Sequence, residues 1–152
     1  MSSSQNNIWK DSYKIEIKKF DEQHKKLFSL LGELYALDET NNPDDIKIKL
    51  RKILYNFINY MQTHFEEEEE YMLSIGFTNY NEHKQEHERI MALLSKVIQT
   101  PANLNVIKSK MRIVAKRALI EHITHQDVKI SLFLLQKNEE IKEEIFDISH
   151  HV

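Results

Sequence analysis

The chain's chemically loaded residues fall into one pattern: His24, His64-x-x-x-Glu68, His83-x-x-x-His87 and His122-x-x-x-x-Asp127. Five of the eight histidines belong to it, with two carboxylates. A structural zinc takes four ligands, and a catalytic zinc takes three plus a water. Seven candidate ligands exceed what one ion uses, so the count points to two ions sharing bridging carboxylates. Imidazole with carboxylate suits iron, copper, nickel or zinc. The chain has no Cys, which excludes thiolate sites, iron–sulfur clusters, disulfides and a Cys nucleophile.

Such ligands need rigid elements to converge. Only two Gly and two Pro occur in 152 residues. Sheets of this size need many turns, and turns draw on both residues, so the chain is read as a few long helices. The first runs from Phe20 with His24, Leu27, Phe28, Leu31, Leu34 and Tyr35 on one face. It ends before the turn signal Asn41-Asn42-Pro43. The second begins near Pro43, with a seam of Ile46, Leu50, Ile53, Phe57, Met61, His64, Glu68, Tyr71 and Ile75, and is capped at Gly76. The third carries Tyr80, His83, His87, Ile90, Leu94 and Val97 and stops at Thr100-Pro101. The fourth carries Leu104, Ile107, Met111, Val114, Ala118 and His122 and reaches about Leu135.

The predicted fold is all-α, an antiparallel up-down-up-down four-helix bundle with an N-terminal arm and a short C-terminal helix. Residues 1–8 are expected to be disordered, residues 9–136 to form the bundle, and residues 137–152 to be a tail or short helix over 138–148. In the arm, Trp9, Tyr13, Ile15 and Ile17 are the packing residues.

A four-residue spacing stacks two side chains one turn apart on the same face. His64 with Glu68, and His83 with His87, therefore share the stripes that turn inward. A buried imidazole or carboxylate without a partner is costly. One core histidine is ordinarily just hydrogen-bonded, but several on adjoining core stripes call for cations. The acidic run Glu66–Glu70 reads mostly as a solvated face; Glu68 is the inward member, with Glu67 its geometric competitor. His125 reads as solvated and His150-His151 as a frayed tail. Asp127 is the awkward ligand: five residues after His122 is about 500° of ideal helix, about 140° off the face. A local π-bulge, or a long reach around the helix, would bring it in.

Other classes are disfavoured. With 21 basic against 24 acidic residues, no basic face advertises nucleic acid. The start, MSSSQNN, lacks the character of a secretory signal, and no apolar run reaches the length of a membrane span. A cytoplasmic protein is expected.

These motifs resemble the hemerythrin family, in particular single-domain bacteriohemerythrins. The resemblance covers about Trp9 to Leu135 and includes Phe20-Asp21-Glu22-Gln23-His24, His64-Phe65-x-x-Glu68-Glu69-x-x-Met72, His83-x-x-x-His87 and His122-Ile123-x-x-x-Asp127. It implies a non-haem di-iron centre. His83, His87 and His122 would hold one iron, and His24 and His64 the other. Glu68, Asp127 and an oxo or hydroxo group would bridge them. The second iron would keep an open position where O2 binds reversibly, for storage, delivery or scavenging. Leu119 and Ile123, flanking His122, are candidates for an apolar shell around that position, although bundle core is the plainer reading of each. Ala118 and Ile130 stand where many relatives have Trp and Tyr, which bears on access to the pocket and not on metal binding.

Two rival functions follow: an oxygen or redox sensor acting through a separate partner, or a di-iron peroxidase or nitric oxide-reducing enzyme. Ferritin-like oxidases use Glu-x-x-His pairs, which this chain lacks, as it lacks His-Glu-x-x-His. Binding is therefore preferred over catalysis. The chain could be a monomer or a homo-oligomer.

Overall fold

The computed structural model describes residues 9–38, 42–100 and 103–150. Residues 1–8, Asn41, Pro101 and His151, and the expectations attached to them, lie outside this set, as does the side chain of His150. Helices α1 (Lys18–Tyr35), α2 (Pro43–Ser74), α3 (Tyr80–Gln99) and α4 (Leu104–Ala115) are joined by short connections. Each packs on the next, and α1 also packs on α4, which closes the ring of a four-helix bundle.

The helix ends follow local chemistry. Asn42 accepts a hydrogen bond from the Asp44 N–H at 2.9 Å, with Pro43 at the first helical position. Asn103 caps α4 in the same way, accepting from the Val106 N–H at 2.9 Å. At the end of α2 the Phe77 N–H donates to the Met72 carbonyl and the Gly76 N–H to that of Leu73. This is a Schellman motif, and Gly76 takes its left-handed position at φ 71°. Phe77 then packs against Met72 in a small apolar cluster with Ile130.

Two features of the α2 and α4 stripes differ from the sequence reading. On α2 Leu54 and Met72 join the buried stripe, while Ile53, Tyr71 and, just past its end, Ile75 are half-buried on the flank. Steps of three and four residues average close to the helical period without matching it, so the buried stripe drifts along a helix of this length. The second difference concerns the fourth rod. Beyond α4 the chain continues through π-helical turns at Lys116–Glu121 and Ile123–Asp127 into α5 (Val128–His150) without a break. Residues 138–148 are helical as expected, but as an extension of this rod and not as a separate helix. Nothing in Gln136-Lys137-Asn138 terminates a helix. Burial, not backbone, marks the bundle's edge, since every residue from Leu135 to Ser149 is exposed.

The N-terminal arm is tied down where α1 begins. Trp9, Tyr13 and Phe28 form a cluster of aromatic rings with centroids 5.5–5.8 Å apart. The Ile15 N–H donates to Asp21 Oδ1 at 2.8 Å, and the Ser131 hydroxyl donates to the Ile15 carbonyl. Glu16 between them adopts a left-handed φ of 63°, a conformation that non-glycine residues rarely hold without such anchors. The arm thereby laces α1 to α5 beside the ends of the helices that carry the histidines. Asp21→Ala should lower stability by about 1.5–3 kcal/mol, the scale for losing a hydrogen bond to a charged group. Denaturant unfolding checks this, and an unchanged midpoint would show that the anchor is dispensable.

Candidate metal centre

All seven predicted ligands are buried in the middle of the bundle, each with at most 3% of its surface exposed. α1 supplies His24, α2 supplies His64 and Glu68, and α3 supplies His83 and His87. The fourth rod supplies His122 and Asp127. The ligand atoms form two groups. Glu68, His83, His87, His122 and Asp127 place one atom each within 4.8 Å of one another, and so do His24, His64, Glu68 and Asp127.

The two carboxylates belong to both groups, and each turns one oxygen to either side. Glu68 Oε1 lies 2.9 Å from His83 Nε2 and 3.0 Å from His87 Nε2. Its Oε2 lies 3.4 Å from His64 Nε2 and 3.9 Å from His24 Nε2. Asp127 Oδ1 lies 2.9 Å from His83 Nε2 and 3.0 Å from His122 Nε2, while Oδ2 lies 3.2 Å from His24 Nε2.

Asp127 reaches this position because the helix widens. In a π-turn the hydrogen bonds run from i to i+5, so five residues bring the chain back to one face. Local side chains support the change. Thr124 Oγ1 donates to the Ile120 carbonyl at 2.6 Å, and His125 Nδ1 donates to the Glu121 carbonyl at 3.0 Å. Both reach the carbonyl four residues back, which an α-turn would have served with a backbone N–H. His125 is otherwise exposed, as expected.

Two residues that the sequence reading quoted only within its motifs, with no role assigned, set the direction of the imidazoles. His64 Nδ1 donates to Gln23 Oε1 at 2.6 Å, and His87 Nδ1 donates to Glu69 Oε2 at 2.8 Å. With the proton on Nδ1, Nε2 carries a lone pair aimed into the centre. Gln23 is held in turn by Glu67, to which its amide donates. Glu69, expected at the solvated face, and Glu67, the geometric competitor of Glu68, are therefore half-buried partners of the site. They sit on the flank of the ligand stripe, one position from Glu68, where periodicity gives no signal.

The residues present fit metal ions. Nitrogen and oxygen ligands about 2.1 Å from an ion and at right angles to each other lie roughly 3.0 Å apart, matching the 2.9–3.0 Å imidazole–carboxylate contacts of the three-histidine group. Buried lone pairs at these separations repel unless a cation sits among them. His24 Nδ1, Glu68 Oε2, both Asp127 oxygens and both His122 nitrogens are buried without a hydrogen bond. His122 Nε2 and Asp127 Oδ1 thus face each other without hydrogen-bond geometry, as two donors to a shared ion do.

The electrostatics agree. Burial pushes His64 down to about 4, against the pull of Glu68, which leaves the ring neutral and able to ligate. Burial also works to lower His83, but the Asp127 and Glu68 carboxylates overcome it and push His83 up to about 10. His87 is raised by Glu68 and Glu69 despite its burial. Without metal, a proton on His83 does the work of a cation, and the same carboxylates favour one on His87.

Two outcomes are expected. Metal loading at neutral pH should release protons, because His83 must lose its own to ligate. Apparent affinity should then rise with pH towards about 10. Loading in weakly buffered solution without acidification would refute this. Gln23→Leu, which frees His64 to rotate or change tautomer, should weaken metal binding by about 10–100-fold in chelator competition. Gln23→Glu, which keeps an acceptor, should retain most of the affinity.

The comparisons with known proteins accord with this geometry. Residues 16–130 match the family model described as Hemerythrin HHE cation binding domain. The chain is 36% identical to a bacteriohemerythrin of Clostridium acetobutylicum over 81 residues, 53% of this chain and 63% of that protein. It is 29% identical to a bacteriohemerythrin of Campylobacter jejuni over 119 residues, 77% of this chain and 86% of that one. It is 30% identical to a hemerythrin of Sipunculus nudus over 122 residues, 80% of this chain and 88% of the other. A family model covering most of the bundle, on a site whose donors converge without satisfying one another, identifies the chain as a member of the hemerythrin family.

Proposed function

We propose that the chain is a non-haem di-iron protein that binds O2 reversibly, as a store, carrier or scavenger in the cytoplasm. The observation that carries this is the asymmetry of the two ligand groups. Three histidines serve one and two serve the other, while Glu68 and Asp127 serve both. In this reading the iron pair supplies two electrons and, on the side of His24 and His64, an open coordination position.

The chain's own residues would do the rest. Glu68 and Asp127 would bridge the irons and balance their charge. Gln23 and Glu69 would hold His64 and His87 with Nε2 inward. Phe65 stacks on the His87 ring at 3.8 Å between centroids, and Leu119 and Ile123 are each 1% exposed. These apolar side chains would keep water from the open position, which favours release of O2 over irreversible oxidation. Among the described residues no helix is long and apolar enough to cross a membrane.

The test is spectroscopic. With about two irons bound per chain, a visible charge-transfer band should appear under air and vanish on removal of O2, over repeated cycles. Irreversible oxidation would favour sensing or turnover instead. Leu119→Ala should speed loss of the O2-binding form, measured as the decay of that band, with the iron content unchanged. An unaltered decay would remove Leu119 from the pocket.

A further inference from the structure

The rod extends past the edge of the bundle, into solvent. Leu135 to Ser149 are all exposed, yet Ile141, Ile145 and Ile148 recur at i, i+4 and i+7. Such spacing lays them on one stripe, and they are 51–68% exposed. Scattered surface apolar residues need no explanation, but a stripe of them does. A lone helix of this length is only marginally stable in water, so an apolar face on it calls for a surface to lie against.

The extension is acidic. Residues 137–150 hold Glu139, Glu140, Glu143, Glu144 and Asp147 against Lys137 and Lys142. The opposite end of the same rod is its complement. Residues 104–117 hold five basic side chains and no carboxylate. Beside them, between α3 and α4, runs a shallow cleft of about 280 Å³ lined by Leu93, Val97, Ile113 and Val114. Lys96 and Lys110 stand at its rim, and Ile113 is 72% exposed. Lys108 is already engaged with the Tyr35 and Leu37 carbonyls, which leaves Lys96 and Lys110 to meet an acidic helix.

We propose that the acidic extension of one copy docks in the α3–α4 cleft of a second copy. Ile141, Ile145 and Ile148 would cover Ile113 and the cleft floor, and Glu140 and Glu144 would meet Lys96 and Lys110. The unbroken rod puts Ile113 and Ile145 about 48 Å apart along one helix. Neither end can therefore satisfy the other within one chain. Two rods side by side and antiparallel satisfy both ends at once, and the closed pair leaves no free end to propagate. Self-pairing of two extensions is disfavoured, because it would set acidic flanks against each other.

Sedimentation equilibrium on the full metal-loaded chain tests this. A dimer is expected, with its dissociation constant rising with salt as the charge pairs are screened. Ile145→Asp and Lys110→Glu, both at accessible positions, should each weaken it by at least tenfold while far-UV circular dichroism and iron content stay unchanged. Combining Lys110→Glu with Glu144→Lys should recover much of the loss. A chain that stays monomeric at all concentrations overturns the proposal, including one that binds a different protein through the isoleucine stripe. A dimer indifferent to both substitutions overturns it as well.

Discussion

The bundle is organised around a core that cannot satisfy itself. Five imidazoles and two carboxylates meet at its centre, shut off from water. Several of their polar atoms have no hydrogen bond. Desolvating such groups is among the largest costs a fold can carry. What makes the arrangement tenable is a pair of cations, or in their absence a proton held on His83 and favoured on His87. Helix lengths, the π-turns and the arm at the N-terminus make sense as the means of holding donors that would otherwise separate.

Metal binding and folding are therefore linked here. Each of the four rods contributes at least one ligand and each group draws on three of them, so two ions bound at the centre would together tie all four. The supports differ on the two sides. His87 is backed by a carboxylate, Glu69, whereas His64 is backed by a neutral amide, Gln23. An anionic partner makes an imidazole a stronger electron donor than a neutral one does. The three-histidine side is thus richer in both ligand number and donor strength.

Much of this was legible in the residue pattern. Four of the ligands lie in i, i+4 pairs, and His24 and His122 fall on the same stripes as their apolar neighbours, so their burial followed from period alone. Gly76 and Pro43 marked the ends of α2. Where the reading failed, the reason was local. Ile53 and Tyr71 are flank residues because the buried stripe drifts along α2. The separate terminal helix was inferred from a change in charge, which alters what a helix faces without breaking it. Glu69 and Gln23 stayed hidden because their role depends on which side chain of another helix stands opposite.

The sequence by itself determined the helices and singled out seven residues whose types and spacing suit metal, because those depend on residue type and on spacing along one chain. Three things were decided by the tertiary structure. One is that the fourth rod widens to turn Asp127 inward, one of the two routes the spacing left open. Another is the orientation of the imidazoles by Gln23 and Glu69. The last is the set of distances that gathers the donors into a three-histidine and a two-histidine group around shared carboxylates, a division the resemblance only implied. All three depend on distances between atoms on different helices or on the pitch of one turn, and a linear pattern of residues encodes neither.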